Sequence, residues 1–536
     1  MTEMTCGEAL IHLLEGYGVT TVFGIPGEHT LELYRGLQGS KIRHVTPRNE
    51  QGAGFMADGY GRATGRPGVC TIITGPGVTN AATAMGQAFA DSVPMLVISS
   101  ANDLPSQGKG WGRLHETTDL CAITAPLTAF SAMVHTPLEI PELIAQAFTV
   151  FGSRRPRPVH IAIPIDVMEM RAEGDWSVRA IPDRPVPGQA SIAAAADLLS
   201  TATRPVMLVG GGAQDAGDGV TRLAELLNMA VISSNAGKGI VPDTNPLSLT
   251  GGVISPPVQS YLGTADIVLA IGTELGEADS FIYDLPINGK VIRIDIDPAR
   301  FNDCFPASVG VQGDAGAAVN LLLAELARRG IDGRGRNTAK ELEQVRAQQK
   351  AGFSPVEKQH IKLLSLLRRN LPDDAIVMGD IAQLVYTGTQ FMPAYRSRTW
   401  FYPAGFGTLG CALPGAIGAK IACPEQDVVA LVGDGGFMFT VQELATAVEE
   451  ETTLPIVLWN NDSYAMIRDG MRKRQYPEIG VNPRNPDFMK LADAFGCPGI
   501  KVDSAAAFET ALRDALAYKG PTIVMVREDD RWLTER

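Results

Sequence analysis

Val428-Val429-Ala430-Leu431-Val432-Gly433-Asp434-Gly435 is the stretch on which the fold reading turns. An unbroken apolar run that ends on glycine has the pattern of a strand buried on both faces, as parallel sheets covered by helices require. A second run, 455–459, ends on Asn460-Asn461. Neighbouring strands of a parallel sheet end on the same side, so Asp434 and Asn461 are expected at one carboxyl edge. A carboxylate and an amide oxygen there suit Mg²⁺, a hard ion that keeps its other octahedral positions for phosphates and water. Gly433, Gly435 and Gly436 let backbone N–H groups come close to an anionic ligand.

Outward from this segment, strand-like and helix-like runs alternate along the whole chain. That alternation predicts an α/β protein of three doubly wound parallel-sheet domains. At roughly 100–200 residues per domain, the 536 residues accommodate three. The expected domains are 1–175, 186–335 and 355–536, separated by a proline-rich linker at 181–188 and a polar, partly helical one at 330–350. In the first, a helix is expected over 5–18 and strands over 21–23, 69–73, 95–99 and 159–163. The helix expected over 51–64 is rich in Gly and Ala, which implies a close packing neighbour. In the second, helices are expected over 191–200 and 317–329 and strands over 206–209, 230–233, 267–271 and 291–296. The third has strands at 376–378, 428–432 and 455–459. The first and third domains are candidates for related folds.

The net charge of −13 argues against broad nucleic-acid or anionic-membrane binding. No apolar run approaches the roughly 18–20 residues that span a bilayer. The first twenty residues carry Glu3, Glu8 and Glu15 and do not read as a secretory signal. Seven cysteines, widely spaced and with no Cys-x-x-Cys pair, fit reduced packing residues of a cytoplasmic protein.

The Gly433-Asp434-Gly435 and Asn460-Asn461 pair resembles the thiamine-diphosphate motif of thiamine-dependent enzymes. Phe23-Gly24-Ile25-Pro26-Gly27, Asn49-Glu50-Gln51-Gly52-Ala53, Thr74-Gly75-Pro76-Gly77 and Gly405-Phe406-Gly407-Thr408-Leu409-Gly410 resemble landmarks of the acetolactate synthase and 2-oxo acid decarboxylase branch, in that branch's order. The resemblance spans nearly the whole chain. It implies pyrimidine-binding, middle and diphosphate-binding domains, with thiamine diphosphate and Mg²⁺ as cofactors. It also implies a homodimer or homotetramer in which Glu50 of one chain and Asp434 of another serve one cofactor.

Glu50 matches the activating glutamate of that branch. A carboxylate bonded to the aminopyrimidine N1′ favours the imino tautomer, which takes the thiazolium C2 proton. That carbon then attacks a 2-oxo acid, and the cationic ring takes up electrons as CO₂ leaves. The resemblance places Leu409 under the bent cofactor, the Ser463 carbonyl on Mg²⁺ and Gln383 on the diphosphate. Gly75 and Gly407 fall in its cofactor loops. The 405–410 run also reads as G-x-G-x-x-G, but no clear strand precedes it, so a nicotinamide reading is rejected. Where acetolactate synthases carry two arginines in the middle domain, this chain has Glu274 and Ala278, which disfavours an FAD pyrophosphate. FAD is therefore not expected.

Ala129 stands where acetolactate synthases have a lysine and Gly470 where they have a tryptophan, so the substrate pocket should be larger and less basic. Glu28, His115 and Glu116 match the acid/base positions of pyruvate-decarboxylase-like enzymes, whose later glutamate falls at Ile467. Asp469, at the expected pocket mouth, would pair with a guanidinium group. At closer range, residues 27–36, 108–117, Asn302-Asp303 and Asn460-Asn461-Asp462 resemble 5-guanidino-2-oxopentanoate decarboxylases. Asn49 departs from the histidine usual before the activating glutamate. The expected reaction is non-oxidative decarboxylation of that 2-oxo acid to 4-guanidinobutanal and CO₂. The alternatives are carboligation of pyruvate and a non-catalytic thiamine-binding scaffold.

Overall fold

The computed structural model describes residues 4–333 and 336–534. Their strands form three sheets, and every strand pairing within them is parallel. The first sheet holds β1 (Thr21–Gly24), β2 (Arg43–Val45), β3 (Gly68–Ile72), β4 (Met95–Ala101), β5 (Phe130–Met133) and β6 (Val159–Pro164), in the order β2-β1-β3-β4-β6-β5. The second holds β7 (Pro205–Val209), β8 (Ala230–Ser233), β9 (Ile267–Ile271), β10 (Lys290–Asp295) and β11 (Val309–Gln312), in the order β11-β10-β9-β7-β8. The third holds β12 (Ile376–Gly379), β13 (Trp400–Phe401), β14 (Val428–Gly433), β15 (Leu454–Asn460), β16 (Gly499–Lys501) and β17 (Pro521–Arg527). Its order, β13-β12-β14-β15-β17-β16, repeats that of the first sheet strand for strand.

The apolar runs read from the sequence became central strands because burial on both faces selects continuous hydrophobic residues; β14 is buried at all of its positions. The short edge strands β2, β13 and β16 carry too few residues for a periodic signal. The 330–350 linker contains the helix Thr338–Ala351, while residues 334 and 335 lie outside the described residues.

The Gly- and Ala-rich helix has its packing neighbour. Helix Glu50–Thr64 lies against helix Ala412–Ala422 of the third sheet's domain, and one hydrophobic core runs through both domains. A Cβ on Gly59 would run into the Gly415 carbonyl, and one on Gly418 into the Met56 carbonyl. Only glycine permits this backbone approach. At the carboxyl end, Trp532 and Leu533 are buried in the third sheet's core and tie the last described turn to it. All seven cysteines are free. Among the described residues no helix is long and apolar enough to cross a membrane.

Candidate active site

In both six-stranded sheets the chain leaves the first strand to one side and returns on the other, which opens a crevice at the carboxyl ends of the two strands flanking the reversal. In the first sheet these are β1 and β3. β1 is followed by Glu28 and His29 in a single turn (Glu28–Thr30), and β3 leads to Gly75, which starts the helix Pro76–Ala90. Gly75 has φ +65°, and a Cβ there would lie 2.5 Å from the His115 carbonyl oxygen. The 108–117 loop therefore docks on this crevice through His115, itself at φ +61°.

Glu50 is the first residue of its helix. Asn49, in extended conformation, caps it, and its side-chain oxygen accepts the Gln51 N–H at 2.8 Å. This division of labour explains the asparagine: the neighbour satisfies the helix end and leaves the Glu50 carboxylate free. Asn80, one turn into the Pro76–Ala90 helix, donates to Glu50 Oε2 at 2.9 Å. Asn80 carried no sequence signal beyond its place one turn after Pro76.

Glu116 is placed differently from a proton donor. Its carboxylate accepts the backbone N–H groups of Gly110, Trp111, Gly112 and Arg113 at 2.8–3.3 Å. Desolvation opposes ionisation, but together these four donors outweigh it and hold the carboxyl below the usual range. An ionised acceptor that shapes the loop is the wrong state for giving up a proton. Ala129 is also apart. It immediately precedes β5, at the amino edge of the sheet, opposite the edge that carries Glu28 and Gly75.

In the third sheet the crevice lies between β12 and β14, which end at Gly379-Asp380 and Gly433-Asp434. β14 pairs with β15, so Asp434 and Asn461 do follow adjacent parallel strands. Asp434 is 3% exposed; burial pushes its carboxyl up, and Asn485 Nδ2 donates to it at 2.6 Å. Asn485 also donates to Asn460 and Asp462, from a segment with no local motif. Asn461 Nδ2 donates to Glu528 at 3.2 Å, which fixes the amide and leaves its Oδ1 to accept from the Ser463 hydroxyl at 3.4 Å. Arg468 donates to Ser463 at 2.8 Å and to Asp469 at 3.2 Å, and Gln383 donates to Asp469 at 3.2 Å. Asp434, Asn461, Ser463, Gln383 and Asp469 thus lie in one neighbourhood. Asp469 is already shared between Arg468, Arg472 and Gln383, so its charge is less available to a guanidinium ligand than its isolated reading suggested. Gly470 sits inside helix Ala465–Lys473, and a Cβ there would meet only the Arg474 guanidinium, at 3.4 Å. Packing does not demand glycine at this position.

Asp380, fully buried, accepts the backbone N–H groups of Gly410 and Ala412 and so anchors the 405–410 loop. From the first domain, Asp91 accepts the Gly405 N–H at 2.8 Å and Gln87 accepts the Thr408 N–H at 3.2 Å. Gly407, at φ +67°, is left exposed at the loop tip, with Leu409 half-buried behind it. Gly433, Gly435 and Gly436 flank Asp434 on the floor of the crevice.

The middle domain borders a cavity of about 250 Å³ against the other two, lined by Gly211, Gly212, Glu274 and Asp295 among others. Arg155 reaches Glu274, Asp295 and Asp297, and Arg157 also reaches Glu274. Arg155 and Arg157 are thus engaged by carboxylates.

The geometry is that of a three-domain α/β protein whose twin six-stranded sheets, packed directly on one another, each carry a carboxylate-bearing crevice. Models of the thiamine pyrophosphate enzyme match the chain in three parts: the N-terminal TPP binding domain over residues 4–123, the central domain over 192–322 and the C-terminal TPP binding domain over 380–526. The chain is 48% identical to the probable 2-ketoarginine decarboxylase AruI of Pseudomonas aeruginosa, over 98% of this chain and 94% of that one. It is 32% identical to the acetolactate synthase isozyme 1 large subunit of Escherichia coli, over 98% and 94% of the two chains. It is likewise 32% identical to an acetolactate synthase of Mycobacterium leprae, over 98% and 87%. The chain belongs to the thiamine pyrophosphate enzyme family, with thiamine diphosphate as its cofactor.

Proposed function

We propose that the chain is a thiamine-diphosphate-dependent lyase that decarboxylates 5-guanidino-2-oxopentanoate to 4-guanidinobutanal and CO₂. The observation that carries the substrate is the near full-length likeness to a relative named for 2-ketoarginine decarboxylation. Bound thiamine diphosphate supplies an acidic carbon and an electron sink. The chain's residues supply the rest. Glu50, oriented by Asn80, holds the cofactor's pyrimidine ring through a carboxylate that the helix cap leaves free. Asp434, the Asn461 amide oxygen and the Ser463 carbonyl offer Mg²⁺ an all-oxygen donor set, as that hard ion requires. Gln383 and the glycines around Asp434 would hold the diphosphate. Leu409 and Gly407 would support the ring. Glu28 and His115 handle protons at the substrate. Gly470 leaves room for a long substrate tail.

The site is completed by a second copy of this chain, as a homodimer or homotetramer. Among the described residues no hydrogen bond or ion pair joins Glu50 to the Asp434 neighbourhood within the chain. Met438, Phe439, Met466 and Ile467, in the segments that follow Asp434 and Asn461, are exposed, and exposed apolar side chains suit an interface. FAD plays no part in this reading, since Arg155 and Arg157 are already engaged by Glu274 and its neighbours. Carboligation of pyruvate is the competing reading, favoured by the acetolactate synthase relatives.

CO₂ release should be measured on purified protein with thiamine diphosphate and Mg²⁺, offering 5-guanidino-2-oxopentanoate and pyruvate separately. Stoichiometric aldehyde from the guanidino acid is the expected result. Acetolactate from pyruvate, with no turnover of the guanidino acid, would replace this reading by the carboligase.

A further inference from the structure

His29 was given no role of its own in the sequence, yet it lies directly behind Glu28 at the mouth of the β1/β3 crevice. Its side chain is 9% exposed, and its Nδ1 has no hydrogen-bond partner. Leaving a buried polar nitrogen unpaired is unfavourable, so such an atom calls for a functional explanation. The ring nearest to it is His115, with centroids 5.7 Å apart and planes tilted by 59°. Three constraints hold His115 there. Its backbone is in the left-handed region, uncommon for a residue with a side chain. Its carbonyl packs on Gly75. Its loop is pinned by the Glu116 carboxylate and by Asn102, which donates to the Leu114 carbonyl at 2.8 Å.

We propose that His29 and His115 form one proton-handling pair, with His29 a positioning residue that acts through His115. The inference rests on the decarboxylase reading. In that reaction the bond between the carboxylate and the carbonyl carbon breaks, its electron pair stays with the carbonyl carbon, and one proton must reach that carbon to give the aldehyde. His115 delivers the proton, and the pair regains it from solvent. Two cationic rings this close repel, so a second proton is harder to add to the pair than the first. Burial, then the neighbouring His115, depress the His29 imidazole, and Glu28 opposes them. Of the elements packed on this turn, β4 has no titratable side chain, and in the His115 loop Arg113 pairs with Asp103 while Glu116 is held by backbone N–H groups. In helix Leu31–Leu37, Glu32 and Arg35 engage each other, Thr5 and Glu8, and Tyr34 engages His44.

The test uses the thiamine-diphosphate and Mg²⁺ holoenzyme and three variants: His29→Asn, His29→Phe, which keeps ring volume if the polar replacement misfolds, and His115→Asn. With seven histidines in the chain, imidazole NMR titration can follow the pair directly. In His115→Asn the His29 ring should titrate at higher pH than in the wild type. In the His29 variants, aldehyde formation should fall about 10²-fold, the low end of what a positioned acid–base group contributes. The acid limb of the kcat profile should move, while exchange of the cofactor C2 proton, which depends on Glu50, stays within about twofold. Unchanged His29 titration in His115→Asn would overturn the pair. So would parallel loss of C2 exchange and turnover, which marks a merely structural role. If the wild type decarboxylates no 2-oxo acid, the functional reading fails, and the NMR titration still decides whether the rings are coupled.

Discussion

Glu50 shows how one residue's availability depends on its neighbour. Asn49 caps the helix, so the Glu50 carboxylate is not spent on the backbone and meets Asn80 instead. Glu50→Gln keeps the size and the contact with Asn80 but removes the charge. Turnover and C2-proton exchange should both fall, by about 10²–10⁴-fold, as measured by CO₂ release and by deuterium exchange of bound cofactor. Glu116 shows the reverse case. Its motif position suggested proton transfer, but four backbone donors make it a loop organiser. Residue type and spacing named both glutamates; only the structure shows how different their hydrogen-bond partners are.

At the scale of elements, the Glu50–Thr64 helix does two things. Its start presents Glu50, and its glycine face allows the backbone of Ala412–Ala422 to come close. Asn49→Ala should destabilise the domain by about 1 kcal/mol, the usual effect of a lost cap, read as a lower urea midpoint with an unchanged slope. The variant should also lose turnover through misplacement of Glu50, with the protein still folded by circular dichroism. Most central strands were legible because continuous apolar runs keep their pattern whatever the neighbour, but β17, which lies between β15 and β16, was not read. Of the edge strands β8 was read and β2, β5, β11, β13 and β16 were not, because two to four residues carry little periodic signal and pair only where a neighbouring strand already lies.

Across the whole molecule, Glu443 of the third domain is buried under the start of the Glu50 helix, where its carboxylate accepts the Arg48 N–H at 3.1 Å. Burial raises it to about 7, against hydrogen bonds from Thr446 and Arg48 that lower it. A carboxyl whose folded value is raised binds its proton more tightly in the native state. Its contribution is therefore full below the unfolded value and is lost as pH rises through about 7. Glu443→Gln should flatten the fall in stability over that window, measured by thermal unfolding at a series of pH values. A mixing experiment tests the shared site. Chains carrying Glu50→Gln and chains carrying Asp434→Ala, each inactive alone, should recover about a quarter of wild-type activity after co-refolding, since half the dimers are mixed and one site in each is intact. No recovery from verified mixed dimers would mean that both residues serve a site within one chain.

Periodicity, glycine punctuation and the Gly-Asp-Gly and Asn-Asn pair were enough to read three parallel α/β layers and to put Asp434 beside Asn461. Those signals are local, or rest on the rule that adjacent parallel strands end together. The partners that tune the site were not legible. Asn485 on Asp434, Gln87 on the 405–410 loop, Glu443 under the Glu50 helix and His29 beside His115 meet across long stretches of chain. The order of strands and the packing of one domain on another bring them together. A single residue's type does not encode which distant side chain will fill the space beside it, because that choice belongs to the packed whole.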